Sequence, residues 1–343
     1  MAYVKRAIFA VAGAGKTTTL VDSLSLAKRT LLLTYTDNNA ENLFDAVLRK
    51  FGYIPENIMI STWFSFVLNC LIKPFVIAGG PETCRLIFSK DALPLYTKGF
   101  ARYTTSDGGV FHSRAFEFVH QYVGEDKIQE RLERFFDEIL IDEVQDFAGY
   151  DFDFVELLGC SNVNVLITGD FFQHTYDTSR DGTKNMNLHK DFTAYVNRLR
   201  RYYQIDMSTL SKSHRCPKPI CDFVRDKIGI PMDSFSNRTD ISYPVLLTNQ
   251  DEIQGVLKDP TIMKLFFREH YRYACNSANW GGCKGLSYNN VCVVLNKKTL
   301  AKFKSNRLAE LPSSTRNKFY VACTRTKANL YFISEDDVID YMA

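Results

Sequence analysis

The chain has 343 residues, a net charge of +3, 45% hydrophobic and 24% charged residues: enough for two domains with a sizeable core, with the composition of a soluble globular protein. A charge this small does not by itself make a nucleic-acid binder, so any basic track has to be local. Nine cysteines with no CxxC pair and no Cys/His quartet argue against structural zinc or a disulfide framework and for a reducing compartment, and no apolar run approaches the ~20 residues that span a bilayer.

The first predicted strand, Ala7–Val11, leads at once into a Gly-rich stretch, Ala10-Val11-Ala12-Gly13-Ala14-Gly15-Lys16-Thr17-Thr18. A strand this close to the first residue leaves no room for a signal peptide, and a cytoplasmic protein is expected. A triphosphate needs several N–H donors converging on it, a cation, and a hydroxyl for Mg²⁺. Gly13 and Gly15 let the backbone from Ala12 to Thr18 fold its N–H groups toward an anion, and the predicted helix Lys16–Lys28 adds its positive dipole end. Lys16 is placed to reach the β- and γ-phosphates and Thr17 to hold Mg²⁺.

Further strands are expected at Thr30–Thr36 and Asn57–Ser61, with helices at Ala40–Lys50 and Phe64–Leu71. Between about 72 and 136 the pattern loosens into a small, mainly helical insertion that ends on a helix at Ile128–Phe136. The apolar strand Glu138–Ile141 then runs into Asp142-Glu143-Val144-Gln145-Asp146. A strand ending in two acids is the second half of an NTPase site: Asp142 suits Mg²⁺, and Glu143 suits the base that orients and deprotonates the attacking water. A strand at Val163–Thr168 and an exposed loop over 177–189 follow, with a domain boundary near 205. The remainder predicts strands at Met207–Leu210, Pro244–Thr248, Val291–Leu295 and Leu330–Ile333, and helices at Lys218–Lys227, Leu300–Ala309 and Thr315–Cys323. Strands of Val, Ile and Leu without polar alternation, separated by helices, mean parallel sheets covered on both faces.

With the Asp-Glu-x-Gln-Asp box in place, the chain resembles a superfamily 1 helicase of the UvrD/Rep/PcrA type, which shares the Ala-first phosphate loop. The other boxes follow in that family's order. Leu31–Ala40 and Ser61–Phe66 resemble its single-strand-contacting motifs. Thr168–Tyr176 resembles the Gly-Asp-x-x-Gln box, which implies that Gln173 senses the γ-phosphate. Ser213-His214-Arg215 resembles the Tyr-Arg-Ser region, implying a γ-phosphate contact for Arg215 and placing His214 where relatives stack a Tyr on the base. Lys284-Gly285-Leu286 resembles the Lys-Gly-Leu-Glu box and brings Gly285 to the nucleotide. Tyr320–Arg325 resembles the last box, whose Arg is a finger across the domain cleft. The implied fold is α/β: two RecA-like parallel-sheet domains, 1–205 and 206–343, the insertion lying in the first. Charge neutralisation on both sides of the γ-phosphate fits these roles, with Lys16 and Mg²⁺ on one side and Arg215 and Arg325 on the other. For the strand track, motif position offers Tyr35, Trp63, Phe64 and Tyr176 as rings on which bases stack, with Thr34, Thr36 and Thr62 as phosphate contacts.

The sequence also departs from that pattern. The Gln-containing segment that reads adenine in relatives is not among the residues ahead of Ala10. Ser287 stands where relatives hold the ribose with Glu, Trp280–Cys283 replaces the segment that carries a His, and Thr178–Arg180 replaces a Trp-Arg pair. The large accessory domain between the Arg215-type and Lys284-type boxes is missing, leaving room for one strand and one or two helices. The resemblance thus implies a pared-down ATP- and Mg²⁺-dependent translocase or helicase on single-stranded DNA, 3′→5′, with RNA left open as the strand, a protein partner left open, and the host-cell cytoplasm as its place if a phage or plasmid encodes it. The alternative is a nucleotide-gated switch that binds DNA or protein and unwinds little.

Overall fold

The computed structural model describes residues 3–76, 85–88, 98–175 and 183–341. In chain order its strands are β1 (Lys5–Phe9), β2 (Thr30–Thr34), β3 (Ile58–Thr62), β4 (Arg85–Ile87), β5 (Gly109–Phe111), β6 (Glu138–Ile141), β7 (Asn164–Gly169), β8 (Gln204–Asp206), β9 (Lys212–Ser213), β10 (Asp233–Ser234), β11 (Val245–Leu246), β12 (Ile262–Phe266), β13 (Ser277–Asn279), β14 (Asn290–Leu295) and β15 (Leu330–Ser334). The chain forms two compact units. One comprises Met1–Ile8, Thr17–Gly169 and Asp177–Asp206, and the other Phe9–Lys16, Asp170–Tyr176 and Met207–Ala343. The phosphate loop and the turn after β7 therefore pack with the second unit although they leave strands of the first.

The first unit is built on a six-stranded sheet in the order β3-β2-β6-β7-β1-β8. The pairs β2–β3, β2–β6, β6–β7 and β1–β8 are parallel. Leu31, Leu32 and Leu33 of β2 are fully enclosed, as are Ile139 and Ile141 of β6, the mark of strands covered on both faces. The helix Asp37–Phe51 starts on Thr36, whose Oγ1 accepts the Asn39 N–H at 3.3 Å, and stops at Gly52, which takes the left-handed conformation at φ 78° and donates its N–H to Leu48 O. In the insertion, β4 and β5 pair in parallel beside the helices Ala115–Tyr122 and Glu125–Phe135.

The second unit carries a five-stranded, wholly parallel sheet in the order β11-β15-β14-β12-β13. Its core gathers Cys216, Ile220, Phe223, Trp280, Phe319 and Phe332, and takes in Ala12 from the phosphate loop.

Both sheets are the α/β architecture expected, with particular differences. The strand expected at Met207–Leu210 falls earlier, as β8, where Ile205 pairs with Ala7. The stretch between Arg215 and Lys284, expected to hold the one strand at Pro244–Thr248, carries that strand as β11 and also β10, β12 and β13. Lys264 interrupts the apolar run of β12, yet it is buried and donates through Nζ to the Asp259 carbonyl. A satisfied lysine inside a sheet breaks the pattern that betrays its neighbours, and burial lowers its pKa. The helices expected at Phe64–Leu71 and Lys218–Lys227 form, but each passes into a π-helical segment, Val67–Ile72 and Val224–Ile228.

Candidate nucleotide site

Neighbouring strands β6, β7 and β1 each end in a box. β1 delivers the phosphate loop. Gly13 and Gly15 adopt φ values of 72° and 92°, which L side chains rarely reach. A Cβ on Gly13 would also lie 2.6 Å from Arg215 Cβ and 2.9 Å from Ser213 Oγ. Only glycine therefore lets the loop approach the Ser213-His214-Arg215 segment. That approach is sealed by the His214 N–H, which donates to Gly13 O at 2.9 Å. Inside the loop the Ala14 N–H donates to Val11 O at 3.2 Å. Lys16 is buried at the start of the helix Lys16–Ser23, Thr17 is half-buried and Thr18 exposed.

In the first unit Thr17 Oγ1 donates to Asp142 Oδ2 at 2.8 Å, and Thr168 Oγ1 donates to Asp142 Oδ1 at 3.1 Å. A buried carboxylate beside a hydroxyl is a fit donor pair for Mg²⁺, which binds through one or two carboxylates together with substrate phosphates. The described residues hold no cluster of three or more His, Cys, Asp or Glu side chains suited to a metal. Glu143 sits at φ 58°, a left-handed conformation costing roughly 1–2 kcal/mol for a non-glycine residue and concentrated at functional positions. Gln145 Nε2 donates to its carboxylate, and the Glu143 N–H donates to Asp142 Oδ1 at 2.9 Å.

In the second unit the turn after β7 and the helix Ser313–Cys323 enclose the base of the loop. The Ala12 N–H donates to Tyr320 Oη at 2.9 Å, and the Tyr320 hydroxyl donates to Asp170 Oδ2 at 2.9 Å. Gln173 Nε2 donates to the same Asp170 oxygen at 2.7 Å, while Gln173 Oε1 accepts from Arg325 Nη2 at 3.3 Å. Arg325 is almost wholly enclosed and also donates to Val321 O and Leu286 O; the latter carbonyl follows Gly285, which is exposed at φ 86°. Arg215 Nη1 donates to Thr324 O at 3.3 Å. His214 is exposed, its ring stacked on Phe235 at 4.2 Å between centroids and 12° between planes. Burial and the neighbouring Asp170 charge push the Tyr320 phenol far above its usual pKa, so it stays a neutral donor.

Thus Gly13, Arg215, Gln173 and Arg325 come together in one unit, and Thr17, Asp142 and Glu143 in the other, with Lys16 joined to Thr17 by the chain itself. Sequence reasoning missed Tyr320, Asp170 and Phe235. The first two lay inside quoted boxes, and a polar residue in such a box next to a predicted ligand was the available signal.

The strand-track positions differ. Trp63 is completely enclosed by Phe66, Phe116, Phe147 and Phe154, and Tyr35 is buried against Phe64 and Phe147 with its hydroxyl donating to Asp151 Oδ2 at 2.9 Å. Neither ring offers a face to a base in this packing: each completes an aromatic core. Phe64 is half-buried, edge-on to Phe88 and His112. Thr34 is buried and Thr62 half-buried, while exposed Thr36 caps a helix. Tyr176 and the first half of the 177–189 loop, with Thr178–Arg180, lie outside the described residues.

These paired boxes on two parallel-sheet units define a phosphate-loop superfamily 1 core. The chain belongs to the viral superfamily 1 RNA helicase core domain family, whose model matches residues 124–334, more than half of its length. The branch matched is viral, so the resemblance to UvrD/Rep/PcrA holds at the level of superfamily 1. No curated protein sequence matches the chain. Among solved structures it is similar to the arterivirus nonstructural protein 10 helicase, in complex with DNA (16% identity, TM-score 0.46, 96% of this chain and 61% of that one) and in a second crystal structure (15%, 0.47, 98% and 62%). The chain therefore spans about three fifths of the length of those helicases. Among the described residues no helix is long and apolar enough to cross a membrane.

Proposed function

We propose that the chain hydrolyses ATP with Mg²⁺ and uses the cycle to move along a single nucleic-acid strand, DNA in the first instance, as a helicase or translocase. The observation that supports this best is the hydrogen-bonded shell at the phosphate loop, which ties Ala12 to Asp170, Gln173 and Arg325. A simple phosphate-binding loop has no need of such a shell. In this reading the backbone of Ala12–Thr18 cradles the phosphates, Lys16 neutralises them, Thr17 and Asp142 hold Mg²⁺, and Glu143 serves as base. Gln173, Arg215 and Arg325 answer the γ-phosphate, while His214 and the Gly285 turn line the nucleoside. Nucleotide turnover measured with and without single-stranded oligonucleotides tests it: stimulation by DNA, RNA or both supports a motor, and turnover indifferent to either removes that reading. Duplexes with 3′ or 5′ tails assign the polarity. Unwinding from a 3′ tail places the chain with UvrD-type motors, and unwinding from a 5′ tail rejects the 3′→5′ assignment.

A second reading, a nucleotide-gated switch binding DNA or a protein, is favoured by one observation: Tyr35 and Trp63, at positions proposed to stack bases, are enclosed in the core. Strand affinity that changes with ATP against ADP, without stepping or unwinding, would support it.

A further inference from the structure

The last box contributes a second polar residue besides its arginine. Tyr320 lies one turn of helix before Thr324, whose Oγ1 donates to Tyr320 O at 2.9 Å, and its own hydroxyl faces the phosphate loop. That hydroxyl is used twice, once as acceptor for the Ala12 N–H and once as donor to Asp170. Ala12 and Tyr320 are both completely enclosed and Asp170 nearly so. Neither bond can be replaced by solvent without opening the core, and a buried N–H or carboxylate left short of a partner is costly.

The geometry is specific to a phenol. The group must accept from a backbone N–H and donate to a carboxylate at the same atom, and it must reach across from a helix to a loop. Phenylalanine fills the ring's place and does neither. Asp170 Oδ2 accepts from both Tyr320 and Gln173, while its Oδ1 accepts from the Phe172 N–H at 3.2 Å, so the side-chain amide of Gln173 is held in one orientation, with its oxygen turned to Arg325 Nη2. Movement of the loop stem at Ala12 therefore reaches Gln173 through three hydrogen bonds, by way of the Tyr320 hydroxyl and the Asp170 carboxylate, and Arg325 through a fourth. Asn317, three residues before Tyr320 on the same helix, donates to His174 O at 3.0 Å and pins the far end of the Gln173 turn.

We propose that Tyr320 is the positioning residue that links the stem of the phosphate loop to the Gln173–Arg325 pair, making the orientation of that pair depend on the state of the loop. The inference rests on the nucleotide-hydrolysis reading above. Tyr320 touches no reacting atom in it; it acts through Asp170 and Gln173.

The test compares Tyr320→Phe, Tyr320→Leu, Gln173→Ala and the Tyr320→Phe/Gln173→Ala pair in strand-stimulated ATP turnover, with hydrogen exchange of the peptide spanning residues 9–17 measured in parallel. Tyr320→Phe is expected to lower kcat by about tenfold or more while KM moves less than about threefold, as when a preorganised donor is lost. Gln173→Ala added to it should cost less than about twofold further, because the two act as one unit. Amide exchange in the loop should rise in Tyr320→Phe. Wild-type kcat in Tyr320→Phe with loss only in Tyr320→Leu would mean that the ring packs and the hydroxyl does nothing, overturning the proposal; so would independent, multiplicative effects of the pair. If the wild-type chain turns over no nucleotide, the functional reading has failed, and loop exchange still decides this one: unchanged protection in Tyr320→Phe overturns it. Should Tyr320→Phe lose its fold, Asp170→Asn breaks the link from the other side and must give the same fall in kcat and rise in exchange.

Discussion

Around the phosphate loop, groups far apart in the chain share one chain of hydrogen bonds, from Ala12 through Tyr320 and Asp170 to Gln173 and Arg325. At the positions proposed to carry the strand, Tyr35 and Trp63 are surrounded by Phe64, Phe66, Phe116, Phe147 and Phe154 and fill a core. Both sets come from the same ordered boxes. A buried polar group has to be partnered, so where it goes says what it does. A buried ring needs only company, and the same ring serves a core or a nucleobase equally well.

The sharpest way to break this contrast is at the reacting end. Lys16→Ala and Glu143→Gln should each reduce turnover at least ~10³-fold, since in the proposed reading each removes a group that serves the transferring phosphoryl or its attacking water; a double variant that retains turnover rejects the assignment. Arg325→Ala should cost about 10²–10³-fold in kcat and also about 1–3 kcal/mol of stability, because Gln173, Leu286 and Val321 lose a buried donor, which chemical denaturation will read. At the aromatic end Trp63→Ala should destabilise the fold by about 3–5 kcal/mol through the cavity it leaves, while strand affinity per folded molecule stays within about twofold. A loss of about 1–3 kcal/mol in strand binding with the fold intact would instead put the indole under a base. Thr36→Ala is the smallest perturbation: loss of the helix cap should cost about 1 kcal/mol, measured by urea denaturation, with strand affinity unchanged if Thr36 serves the helix alone.

Much of the fold was readable because most strands are unbroken apolar runs. Leu31–Leu33, Ile139–Ile141 and Val291–Leu295 are enclosed on both faces and declare themselves. Strand β12 was not readable, because Lys264 stands in its middle and is satisfied by a backbone carbonyl that no local pattern reveals. Of the site, Gly13, Thr17, Asp142, Gln173 and Arg325 were legible as members of boxes with chemistry attached. Tyr320 was not, since its partners Ala12 and Asp170 are 308 and 150 residues away in the chain. The burial of Trp63 was equally hidden, depending on Phe116 and Phe154 from helices that the pattern did not announce. Sequence spacing predicts neighbours along a helix or strand; it is silent on which side chain another element will bring up against them.

The most direct test of the central claim is ATP turnover by the wild-type chain and by Lys16→Ala, each with and without a single-stranded oligonucleotide. Turnover that rises with the strand and vanishes in Lys16→Ala is the predicted result. Turnover that ignores the strand, or that survives in Lys16→Ala, would contradict it.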